Sequence, residues 1–164
     1  MNAPRAVDLA VGFARVTLAS RWADRAWWPV AIAPAGVVPA GAEAICGREE
    51  LRLHADEAEN YLLNLTAPTP VVFVIWRLEA DVPSVLMVTA SYGEAARMLD
   101  AGERVEGLPL PDDLRGWIED FARGHYRPPE RKPRTRRYAS TREAQGAHGN
   151  AAGLPGEAGA WRRA

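Results

Sequence analysis

The chain has 164 residues, 48% of them hydrophobic and 25% charged, with a single cysteine and a formal net charge of −1. That length suits one domain with a tail, no apolar run approaches the roughly 20 residues that cross a bilayer, and the lone Cys46 excludes an intramolecular disulfide. The near-neutral total hides an uneven spread: residues 1–126 carry 11 basic and 18 acidic side chains, net −7, whereas residues 127–164 carry 9 and 3, net +6.

An acidic domain over 1–126 followed by a basic tail over 127–164 is the expected organisation. A body of that size buries about two-thirds of its unfolded surface, enough for a core without staples. At the start, Asp8 and Arg15 bracket an apolar patch too short for a secretory h-region. With an unpaired cysteine, this predicts a cytoplasmic protein without membrane contact.

Taken in order, Val7 to Leu18 alternates apolar and small or polar positions, which predicts a first strand. Trp27 to Ile32 predicts a second, with Pro29 tolerated near its start or on a sheet edge. A Pro/Gly-rich loop leads to a third strand over Glu43 to Leu53. Residues 56–65 admit two readings. Ala58, Leu62 and Leu65 fit a helical stripe, whereas Tyr61, Leu63 and Leu65 fit a strand. The strand is favoured, because Asn60, Asn64 and Thr66 are poor helix formers and Pro68 follows closely.

Val71 to Trp76 is the longest uninterrupted apolar run, rich in β-branched and aromatic residues, and reads as a strand buried on both faces. Val85 to Val88 follows a turn containing Asp81 and Pro83, so the two predict a central hairpin. Ser91 and Glu94 then have the spacing of a capping box, and Ala95, Met98 and Leu99 supply a buried stripe that Gly102 ends. A second helix begins at Pro111. Leu114, Trp117, Ile118 and Phe121 form the face it lays on the sheet, and Gly124 closes it. From Arg127 the clustered charge, prolines and glycines predict disorder. The expected fold is therefore α+β: a mostly antiparallel sheet of five or six strands in meander order, curved towards a barrel, with two C-terminal helices.

Four phrases, SRWADRAWWPVA, LRLHADEAENYLLNL, VLMVTASYGEAARMLDAGERVEGLPLP and WIEDFARGHY, occur in this order. The set resembles an uncharacterised, mainly proteobacterial family, number 3305 among the domains of unknown function, over about residues 7 to 134. The family carries no established activity, cofactor or catalytic residue. Its members are often encoded beside formate dehydrogenase and its accessory proteins. The resemblance thus implies an accessory role around a molybdenum enzyme, with formate dehydrogenase subunits or maturation factors as partners.

The residues themselves supply no catalytic motif. His54, Asp56, Glu57 and Glu59 are rich in oxygen donors. On a strand, however, His54 and Asp56 face away from Glu57 and Glu59, so a solvated acidic turn is expected and no metal or cofactor. Cys46, His125 and His148 have no partner at zinc-type spacing. No nucleophile elbow, phosphate loop or dinucleotide fingerprint occurs.

The most informative cluster is Arg21, Trp22, Arg25, Trp27 and Trp28, where half of the six tryptophans fall within seven positions. Trp and Arg are enriched at interface hot spots. One reading packs Trp27 into the sheet with Trp22 capping an end; the other exposes Trp22 and Trp28 as a docking patch. In the tail, Arg131, Lys132, Arg134, Arg136 and Arg137 are candidates for electrostatic contact with a protein or with phosphates. The expected function is a non-catalytic accessory protein that docks onto a protein partner. An enzyme or small-ligand binder using the concave sheet face is the alternative, and nucleic-acid binding through the tail is a third.

Overall fold

In the computed structural model the described residues are 4–17, 19 and 25–130. Among them six strands and three α-helices follow in chain order: β1 (Ala6–Val16), β2 (Ala26–Pro34), β3 (Ala44–Arg52), a 3-10 turn (Ala55–Glu57) running into α1 (Ala58–Leu65), β4 (Val71–Glu79), β5 (Val82–Thr89), α2 (Tyr92–Asp100), β6 (Arg104–Pro109) and α3 (Asp112–His125). One compact unit spans Met1–Pro128. The disorder expected of the tail, and its five candidate contact residues, fall beyond the described residues.

The sheet has the order β2-β1-β3-β5-β4-β6. All neighbours are antiparallel except β3 and β5, which meet in parallel through the single pair Leu51 and Val88. The fold is α+β and mostly antiparallel, as expected, but it is not a meander. β1 is flanked by β2 and β3, and β4 by β5 and β6, so two three-stranded units join along the β3–β5 line. Register shifts at Gly12/Phe13, Leu9/Val11 and Ile75/Trp76 mark bulges. Bulges sharpen strand bending, and the sheet curls until its edges β2 and β6 approach each other, giving a nearly closed barrel.

Leu9, Val11 and Phe13 of β1, Leu51 of β3, Val72, Val74 and Trp76 of β4 and Val88 of β5 form the core with Tyr61 and Leu65 of α1 and Leu114, Ile118 and Ala122 of α3. The central run Val71–Trp76 is largely buried on both faces, since Ile75 is as inaccessible as Val74. Gly12 lets the β2–β3 loop lie on β1: a Cβ there would come within 2.7 Å of Pro39 and 2.8 Å of Ala42.

Residues 56–65 are helical, which corrects the strand reading. The helix is kept by tertiary bonds that propensity does not register. Asn64, buried in α1, donates to the carbonyls of Val71 and Ala90 at 2.7 and 2.8 Å and accepts the Val71 amide at 3.0 Å. The sixth strand is instead β6, between the two C-terminal helices. Two smaller corrections concern helix faces and ends. Leu99 is 61% exposed, leaving Ala95 as the buried residue of α2. α3 runs through Gly124 and stops at His125.

Gly102 does end α2. It has φ +85°, with Gly102 N–H bonded to Leu99 O and Glu103 N–H to Met98 O, which is a Schellman closure.

Candidate functional site

β2 is an edge strand, the place a strand proline requires, and Pro29 sits buried opposite Phe13. The adjacent indoles Trp27 and Trp28 diverge. Trp27 packs against the core, with the Arg15 guanidinium 4.7 Å from its ring centroid. Trp28 is 37% exposed and meets Trp76 edge-on, with centroids 5.9 Å apart. Trp76 in turn tilts against Phe13 at 5.3 Å and lies 5.0 Å beneath the guanidinium of Arg104 on β6.

The near-closure between β2 and β6 is thus bridged by Trp28, Trp76 and Arg104 rather than by a backbone ladder. Arg25 donates to the Arg15 carbonyl at 2.9 Å and lies 3.6 Å from Glu43, a solvent-exposed pair worth at most about 1 kcal/mol. Of the five residues singled out in the sequence, Arg25, Trp27 and Trp28 lie at this end of β2; Arg21 and Trp22 lie outside the described residues. Arg15, Trp76 and Arg104 join them from β1, β4 and β6, which no local spacing could disclose. An exposed indole at the end of a strand whose neighbours carry guanidiniums, Arg15 on Trp27 and Arg104 on Trp76, offers apolar surface and cationic groups at the same end of the sheet.

A second cluster was not anticipated. Glu57, only 8% exposed, accepts hydrogen bonds from Ser91 Oγ at 2.5 Å, Asn60 Nδ2 at 2.8 Å and Arg97 at 2.6 Å. It is not part of a solvated turn. Burial alone would raise its pKa, but the bonds from Ser91, Arg97 and Asn60 and the charge of Arg97 outweigh that, holding it below the ordinary glutamate value.

Ser91 caps α2 by accepting the Glu94 amide at 3.1 Å. The capping box is closed indirectly: the Ser91 amide donates to Thr89 Oγ1 at 3.0 Å, and that hydroxyl donates to the Glu94 carboxylate. Gly93 permits the close approach, since a Cβ there would stand 2.5 Å from Asn60 Nδ2 and 3.1 Å from Glu57 Oε2. A carboxylate engaged by three donors braces α1 against α2 and is a poor proton acceptor.

Two further titratable groups are likewise occupied. Tyr61 accepts the His54 amide at 2.9 Å, and burial pushes its phenol up to about 12. Cys46 donates to the Pro83 carbonyl at 3.7 Å, and burial raises its thiol, so it is protonated at neutral pH. Among the described residues, no group of three or more His, Cys, Asp and Glu side chains is placed to hold a metal ion. Among them, too, no helix is long and apolar enough to cross a membrane.

One comparison with known proteins finds a family. The model described as "Protein of unknown function (DUF3305)" matches residues 8–136. No curated protein and no solved structure matches the chain.

Proposed function

From the premise that the chain belongs to the DUF3305 family, we propose that it is a non-catalytic cytoplasmic accessory protein that docks onto another protein during assembly or maturation of a molybdenum-dependent formate dehydrogenase. The observation that carries the docking reading is Trp28. Over a third of it stays exposed on the edge strand β2, edge-on to Trp76, which carries the Arg104 guanidinium, while Arg15 covers the neighbouring Trp27. Hot spots favour this pairing of a large rigid indole with guanidiniums.

The choice of formate dehydrogenase rests on the gene neighbourhood that the sequence resemblance implies, and on nothing in the geometry. The test is affinity capture of the tagged full-length chain from its host, read by mass spectrometry, with Trp28→Ala in parallel. The proposal requires formate dehydrogenase subunits or their maturation proteins in the wild-type eluate and their depletion in the variant. An eluate without them contradicts it.

A further inference from the structure

We propose that the cleft between the β1–β2 ladder and the start of α3 receives a lysine or arginine side chain from a partner protein. The cleft has a volume of about 320 Å³, at the small end of the range for ligand sites. Val7, Ile32, Pro34 and Leu114 give it aliphatic walls, and Asp8 and Asp113 are the charged groups that line it. Leu114 is buried while both carboxylates are exposed, so the site is apolar in depth and anionic at its rim.

That gradient matches a side chain with a hydrocarbon stem and a cationic head, which buries the first and keeps the second at the water boundary. No basic residue lines the cleft to compete for the carboxylates. Asp8 does meet Arg48 at 3.5 Å, but the two side chains are 42% and 80% exposed, and such pairs exchange partners at little cost. Among the described residues Asp113 is in no ion pair. The start of α3 contributes about half a positive elementary charge; Asp112 and Asp113 bring two full negative charges to the same turn and override it. The body as a whole, net −7 over residues 1–126, favours a basic partner.

The site goes beyond the docking reading and is spatially separate from it, lying at the Pro34 end of β2 whereas Trp28 lies near the Ala26 end. The two can therefore fail independently. The experiment titrates the full-length, ¹⁵N-labelled chain with Nα-acetyl-lysine-N-methylamide and, separately, with the same compound acetylated on Nε, following amide shifts by NMR.

The expected result is saturable shifts at Val7, Ile32 and Leu114 with the charged probe. Binding should be about fivefold weaker with the neutral probe, the ratio that corresponds to ~1 kcal/mol for an exposed ion pair. Asp113→Asn should reproduce that loss for the charged probe, with spectra unchanged away from the cleft. Equal binding of the two probes, shifts confined to the surroundings of Trp28, or no shift at all overturns the proposal. The comparison of probes needs no variant, so a folding defect in Asp113→Asn leaves the test intact.

Discussion

The Ser91 hydroxyl donates to Glu57 at 2.5 Å while its oxygen accepts the Glu94 amide at 3.1 Å, so one side chain caps α2 and ties it to the turn before α1. Removing it loses both bonds. Ser91→Ala should destabilise the protein by about 2–4 kcal/mol, combining a lost N-cap with a buried carboxylate deprived of a donor. Urea unfolding measures this, and a loss under about 0.5 kcal/mol, below the usual cost of a cap alone, contradicts the arrangement.

The same carboxylate makes stability depend on pH. With its folded-state pKa depressed, Glu57 stabilises the fold above its unfolded value of about 4.3 and loses that contribution as pH falls through the folded value. In this window the unfolded chain binds more protons, so stability rises with pH. Thermal unfolding followed from neutral pH into the acid range should show a steeper decline for the wild type than for Glu57→Gln. Parallel curves would mean that Glu57 is not linked to folding.

Gly93 and Gly116 make a controlled pair. Gly93→Ala places a methyl 2.5 Å from Asn60 Nδ2 and should cost about 1–3 kcal/mol, as overpacking does. At Gly116, inside α3, an added Cβ meets nothing within 4 Å, and Gly116→Ala should stabilise by up to about 1 kcal/mol through helix propensity. Opposite signs in denaturant titration are expected. A Gly93→Ala variant at least as stable as the wild type would refute the tight contact between α1 and α2.

The β4–β5 hairpin turns on Ala80 and Asp81, with φ of +49° and +63° between the paired Glu79 and Val82. Two left-handed residues in a two-residue loop define a type I′ turn, for which Asn-Gly is preferred. The double change Ala80→Asn, Asp81→Gly should raise stability by about 1 kcal/mol, because alanine is strained there. A melting temperature that falls would contradict this turn geometry.

The strands carried by strong local patterns, β1 through β5, were readable because alternation or a β-branched run is written in neighbouring residues. β6 was not: RVEGLP is short, holds Gly107 and ends in Pro109, and it becomes a strand by pairing with β4 from Val71 to Trp76. Residues 56–65 misled for a related reason. Asn64 is a weak helix former in isolation, but its three bonds to the backbones of β4 and the segment after β5 reward the helix in a way visible only after folding. In the candidate site, Trp27 and Trp28 stood out by density alone. Arg15 reaches it because β1 pairs with β2 opposite Trp27, and Trp76 and Arg104 reach it only because the bulged sheet curls β6 towards β2.

The most direct test of the docking claim is a titration of the purified chain into isolated formate dehydrogenase, repeated with Trp28→Ala and with Arg104→Ala. The account predicts a saturable wild-type isotherm, weakened at least about thirtyfold by Trp28→Ala, the loss of ~2 kcal/mol that defines a hot spot. Arg104→Ala should give a smaller loss, and both variants should keep the wild-type fold by circular dichroism. No binding by the wild type, or equal binding by the folded Trp28→Ala variant, would contradict it.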